Sequence, residues 1–259
     1  GTRSHPTGQA LERAAGKLYD ATLAGGVHKF GDRQSLSYSL EVASDRYVNE
    51  PVLAQGLELL REMICEPATV DGGLSPEYVD QEKRFQIGRV RALVNDKIRY
   101  AIFRCVEEMF KGRPYALHEL GTEEAIARLD AKTLAAHHRE LLGTRPIDIY
   151  VVGDVEAARV REQVAAWFTG GRDQTLELQL SEVGLGEGDV SVVTQEEPMK
   201  QGWLVLGLRT DVRRSDPLRF GLQVFNGILG GFAHSKLFVN VREKASLAYS
   251  AYSYYDANK

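Results

Sequence analysis

Two side chains near the end of the sequence are of types that could hold a peptide. Arg242 lies in Val241-Arg242-Glu243-Lys244 and Tyr249 in Leu247-Ala248-Tyr249-Ser250. A guanidinium fork can hold peptide carbonyls through charge-assisted hydrogen bonds. A tyrosine hydroxyl can donate to an oxyanion that develops at a scissile carbonyl. Spacing alone assigns neither role: a surface arginine on a helix and a tyrosine packed in a strand are the ordinary reading. The histidines offer less. His137-His138-Arg139-Glu140 is the nearest approach to a zinc-binding His-x-x-Glu-His helix, but its histidines are adjacent and position 141 is Leu. It reads as polar residues on an amphipathic helix. Cys65 and Cys105 each fall in an apolar helical pattern, far apart in sequence. They are expected to be reduced core thiols of a cytoplasmic protein rather than metal ligands.

The chain has 259 residues, a hydrophobic fraction of 43% and a charged fraction of 26%, enough for one large domain or two modest ones with real cores. A formal net charge of −4 gives no electrostatic footprint for nucleic acid. No apolar run approaches the ~20 residues that cross a bilayer, so no membrane partner is expected. No signal peptide is visible, and the sequence begins Gly1-Thr2, as a processed piece would.

The elements that must position these residues follow from local signals. Helices are expected over 7–20, 50–65, 122–126, 131–142 and from 154 to about 168. A long helical region should run from Ser75-Pro76-Glu77 to about Phe110. Strands are expected at 21–30 and 34–44 around a Gly31-Asp32 turn, and at 147–152, 190–194 and 203–208. The glycine-rich, weakly periodic stretch 170–189 reads as a linker between a domain at 1–169 and the start of a second at 190–259. In that second part a helix at 216–229 is followed by another ending near Lys244. A strand then begins near Leu247, with Tyr252 and Tyr254 on one face and Tyr249 and Tyr255 on the other.

The run Leu229-Gly230-Gly231-Phe232-Ala233-His234-Ser235-Lys236-Leu237-Phe238, with the Arg242–Tyr249 segment after it, resembles the second, non-zinc domain of the M16 peptidases, the pitrilysin, insulinase and processing-peptidase family. Gly1-Thr2 with Pro6-Thr7, Leu120-Gly121-Thr122-Glu123-Glu124-Ala125-Ile126, and Val151-Val152-Gly153-Asp154-Val155 resemble other segments of the family, in family order. The resemblance implies an α+β fold of tandem M16-like domains, each an antiparallel sheet with helices packed on one face. Both domains would be incomplete here, the first lacking its N-terminal strands and zinc-motif helix, the second truncated at its C-terminus. It also implies that Arg242 and Tyr249 grip a substrate backbone beside a zinc carried by another domain. Many family members have Gly where this chain has Ser246, so the turn there is expected to be strained.

The resemblance also permits a test for metal. Glu82-Lys83 matches a recurrent Glu-Lys on the family's ligand helix, which places the family's acidic pair near Gly88-Arg89. No acid occurs between Glu82 and Asp96, and an Arg here would repel Zn²⁺. The chain is most similar to the bacterial M16-like proteins found as the inactive member of a pair. The reading is therefore a non-catalytic subunit without a cofactor, zinc being expected only in a catalytic M16 partner. Its substrate would be a peptide or unfolded polypeptide. Two alternatives stay open: a zinc metalloendopeptidase whose His-x-x-Glu-His helix lies upstream of Gly1, and a structural M16-like scaffold.

Overall fold

A computed structural model describes residues 1–168, 176 and 190–256. The expected linker at 170–189 thus lies outside the described residues except for Leu176. The chain forms two compact units, one from residues 1–28, 34–100 and 117–179, the other from residues 29–33, 101–116 and 180–259.

The first unit is built on a helix laid across a hairpin. Helix α1, Gly8–Gly16, starts where the Thr7 hydroxyl accepts from the Ala10 N–H at 3.1 Å. Strands β1, Thr22–Phe30, and β2, Arg33–Glu41, pair about a turn in which Gly31 takes φ 59°. Helix α2, Val52–Cys65, ends before Glu66-Pro67 because proline cannot continue it. Its Val52 and Leu59 enter a core with Ala15, Leu18 and Ala21, against which Leu40 and Val42 of the hairpin region pack. Leu57 enters a second core with Val160 and Val164 of helix α7 below. Gly56 permits this closeness: a Cβ there would lie 2.9 Å from Val42 Cγ1 and 3.2 Å from a Leu40 methyl.

Strands β3, Thr69–Val70, and β4, Gly73–Leu74, form a tight antiparallel pair around Asp71 and Gly72, both at positive φ. Helix α3, Pro76–Ala92, opens with proline in its first turn, as the sequence predicts. It does not run on to Phe110. A 3₁₀ turn at Leu93–Asn95 breaks it, and Asp96 starts a new helix, α4, Lys97–Met109, by accepting from the Arg99 N–H at 3.1 Å. Thr122 caps α5, Glu123–Ala127, through the Ala125 N–H at 3.2 Å. Asp130 caps α6, Ala131–Thr144, accepting from the Lys132 and Thr133 N–H groups at 2.8 and 2.9 Å. Helix α7, Ala157–Ala165, completes the second core.

The first residues are stitched onto the C-terminal end of α2. Thr2, fully buried, bridges Pro67 in antiparallel fashion, while Arg3 N–H donates to Glu66 O at 2.9 Å and Ala68 N–H to Gly1 O at 3.1 Å. The Thr2 hydroxyl donates to Glu62 Oε2 at 2.8 Å, and His5 Nδ1 lies 3.3 Å from the same oxygen. Burial alone would raise the Glu62 carboxyl, but hydrogen bonds from Thr2, Ser4 and His5 outweigh it and hold it below the usual range. Both cysteines are free and half-buried, and burial pushes their thiols up, so they stay protonated.

The second unit contains helix α8, Arg219–Asn226, which continues without a break as a π-helix, Gly227–Gly231, and a further π-helix, Phe238–Lys244. The expected strands at 147–152, 190–194, 203–208 and beyond Leu247 are not found: among the described residues these segments carry no ladder to a neighbour. The alternation that suggests a strand is a property of one segment, whereas a strand exists only when a second segment takes its N–H and C=O groups. Among the described residues no helix is long and apolar enough to cross a membrane.

Three substitutions test this account. Gly56→Ala gains helix propensity of about 1 kcal/mol but drives a methyl into Val42 and Leu40, and is expected to lower the urea midpoint by the equivalent of about 1–3 kcal/mol. Gly88→Ala, in α3 with nothing within 4 Å of the added carbon, is expected to raise it by about 0.5–1 kcal/mol. Thr2→Val should cost about 1–3 kcal/mol at pH 7 by orphaning part of the Glu62 carboxylate. Glu62 has a folded pKa below its unfolded value, so the stability it contributes is complete above the unfolded pKa and disappears as pH falls through the folded one. The Thr2→Val penalty should therefore shrink in denaturation series run at progressively lower pH, below about pH 4.

Candidate functional site

The second unit brings Arg242 and Tyr249 together. The positioning begins at Ser235, buried between the two π-helices, whose carbonyl accepts from the Val239 N–H at 3.0 Å and whose hydroxyl accepts from the Phe238 N–H at 3.4 Å. The helix that follows is π-wound, so Ala245 N–H reaches Asn240 O, five residues back, at 3.1 Å. Leu247 N–H then closes onto Val241 O at 3.0 Å. Between them Ser246 takes φ 50°, the left-handed conformation that glycine adopts at little cost. This reversal turns the chain so that Tyr249 lies over the helix it has just left.

Gly230 fixes the other end of the returning segment. Ser253 N–H donates to Gly230 O at 3.3 Å, and the Ser253 hydroxyl donates to Asn226 Oδ1 at 2.9 Å. A Cβ on Gly230 would sit 2.4 Å from Ser253 N, so only glycine admits the strand-like segment this close. From 251 to 256 exposure alternates, with Tyr252 and Tyr254 outward and Tyr255 half-buried, as the sequence predicts for those three.

The Arg242 guanidinium carbon lies 4.6 Å from the Phe238 ring centroid and 5.4 Å from that of Tyr249. Both distances are within cation–π range. Among the described residues no carboxylate pairs with Arg242 and no group hydrogen-bonds the Tyr249 hydroxyl. Tyr249 is 88% exposed. The result is an arginine held by two rings with its N–H donors open, beside an outward phenol. Such a pair can receive carbonyl oxygens from an extended backbone, and the phenol can donate to a developing oxyanion. Phe238 was not among the residues singled out in the sequence. Its position four residues before Arg242 is the signal that could have found it.

The helix that should carry an acidic ligand is α3, and at the relevant turn it presents Gly88, Arg89 and Arg91, the last paired with Glu123 at 2.7 Å. His137 lies 3.5 Å from Glu140 on α6, and His138, its basicity reduced by burial, is half-buried on the same helix. Among the described residues no three His, Cys, Asp or Glu side chains converge to hold an ion.

Comparison with known proteins shows the family and the fold. The family model described as peptidase M16 inactive domain matches residues 128–259. A relative from Bacillus subtilis named "Probable inactive metalloprotease YmfF" is 38% identical across 98% of this chain, which spans 60% of that relative. An uncharacterised zinc protease of Streptomyces coelicolor is 28% identical over 78% of the chain and 45% of its own length. A solved conserved protein from Enterococcus faecalis superposes with TM-score 0.81 at 29% identity, covering all of this chain and 61% of its own. A solved peptidase M16 inactive domain from Pseudomonas fluorescens shares the fold at TM-score 0.66 and 14% identity.

The reversal at Ser246 gives a direct test. A non-glycine residue in the left-handed region costs about 1–2 kcal/mol, partly offset by the greater chain entropy glycine loses on folding. Ser246→Gly is expected to raise the thermal midpoint, by a net of about 0.5–1 kcal/mol. Gly230→Ala should do the opposite and loosen the 248–256 segment, read as faster amide exchange at Ser253. No effect from either change would detach the Arg242–Tyr249 geometry from these two glycine-type positions.

Proposed function

Because this chain belongs to the peptidase M16 inactive-domain family, we propose that it is the non-catalytic member of an M16 pair and lends a peptide-holding half-site to a zinc-bearing homologue. The observation that carries the proposal is the Arg242 guanidinium, held between Phe238 and Tyr249 with its N–H donors open. Arg61, by contrast, has its donors taken up by Glu58 and Glu66. The chain's own residues bind and orient: Arg242 holds backbone carbonyls of an extended peptide or unfolded polypeptide, and Tyr249 donates to the carbonyl oxygen that gains charge. The metal chemistry belongs to the partner, since α3 offers arginines where a ligand carboxylate would be needed. The names of the relatives, an inactive metalloprotease and zinc proteases, favour the same division of labour.

The test is a reconstituted pair. Co-purification from the source cell should recover an M16 homologue with a His-x-x-Glu-His helix, and peptide cleavage should need both chains. Arg242→Ala and Tyr249→Phe should each lower turnover by the pair about 10²–10³-fold, the usual effect of removing one oxyanion donor, with unchanged melting temperature. Unchanged turnover in both variants would leave a structural scaffold as the reading. Chelator-sensitive cleavage by this protein alone would overturn the non-catalytic assignment.

A further inference from the structure

Between α1 and α2 of the first unit lies a cleft of about 400 Å³. Its floor follows from helical spacing: Ala10 and Ala14, one turn apart on α1, with Leu18 just beyond and Leu59 of α2 opposite. Both leucines are buried and both alanines half-buried, so the floor is apolar. The rim is polar. Arg13 and Lys17 stand one turn apart on the α1 side, Gln55 and Glu58 on the α2 side. Glu58 is already taken up, since Arg61 donates to both of its oxygens at 2.9 and 2.6 Å. His5, which also lines the cleft, lies against Glu62. Among the described residues the side chains of Arg13, Lys17 and Gln55 meet no polar partner. A second cleft, beside α3, offers less: its Lys83 donates to the Ala127 and Leu129 carbonyls at 2.9 and 2.7 Å, and its Asp130 caps α6.

We propose that this cleft binds the C-terminal end of a peptide whose last side chain is aliphatic. The terminal carboxylate takes charge-assisted hydrogen bonds from the Arg13 guanidinium and the Lys17 ammonium. Their two full positive charges exceed the roughly half negative charge at the C-terminal end of α1. The aliphatic side chain lies on the alanine and leucine floor, and apolar surface leaves water on both sides. The Gln55 amide favours a peptide over a plain fatty acid. It offers both a donor and an acceptor to the last peptide group, and an acyl chain has neither to return. The volume, near the low end of the roughly 300–1,000 Å³ of small-ligand sites, suits the end of a chain rather than its middle. Every residue involved belongs to the first unit, so the proposal depends neither on the Arg242–Tyr249 half-site nor on a partner.

Titration of the full-length protein with N-acetyl-alanyl-leucine, by calorimetry and by NMR of the Gln55 side-chain amide, tests it. Binding should saturate and shift that amide. Amidation of the peptide's carboxylate, Arg13→Gln and Lys17→Gln should each weaken binding by about ten-fold or more, because each removes a hydrogen bond to a charged group. Glutamine is a good helix former, so both variants should melt like wild type. Octanoate should bind about ten-fold more weakly than the peptide, for want of a partner to Gln55. Absence of saturable binding would overturn the proposal, as would equal affinity for the amidated peptide or unchanged affinity in both variants. Octanoate binding as tightly as the peptide would overturn it too, by making the cleft a fatty-acid site. No cleavage enters this measurement, so its failure leaves the half-site reading untouched.

Discussion

The closeness of α2 to the hairpin at Gly56 is the constraint on which the first unit rests. With no side chain at that position, the helix sinks onto Leu40 and Val42, and its neighbours are delivered to two cores at once. Val52 and Leu59 point to α1, and Leu57 points to α7. Further along the same helix Glu62 receives Thr2 and His5. One helix thus sets the position of the hairpin in front of it, the helices on either side and the first residues of the chain. The helix-propensity cost of an interior glycine, about 1 kcal/mol, is outweighed by the apolar surface that this approach removes from water.

The arginines divide by what holds them. Arg61 meets Glu58 and Glu66, Arg91 meets Glu123, and Arg104 meets Glu107 and Glu108. Each of these has its charge matched by a carboxylate. Arg209 lies over the Phe110 ring and Arg219 over the Phe220 ring, while Arg242 lies within reach of two rings, Phe238 and Tyr249, with no carboxylate partner among the described residues. A ring attracts the cation without using a donor, which lets one side chain be ordered and available together.

Features with a local cause were legible in the sequence. Thr7 and Thr122 cap the helices they precede, Pro76 opens α3, and Glu66-Pro67 ends α2. The break at 93–96 was missed because apolar periodicity continues across it, and only Asp96 marks the restart. The unpaired strand-like segments were misread for another reason: whether 147–152 or 203–208 becomes a strand is decided by a neighbour elsewhere. The nearness of Arg242 to Tyr249 and the left-handed backbone at Ser246 agree with what the family likeness implies. The π-winding was not legible, since a sequence read with a 3.6-residue period contains no sign of a wider turn.

The ring-held arginine also changes what association would require of this surface. A free arginine side chain carries about 2 kcal/mol of rotamer entropy, which an incoming ligand ordinarily has to overcome. Here part of that freedom is already lost when the chain folds, through contacts with Phe238 four residues earlier and Tyr249 seven residues later. Under the proposed peptide-holding role, an incoming carbonyl would meet a side chain with less freedom left to lose. The two ring contacts offset that ordering within the fold itself.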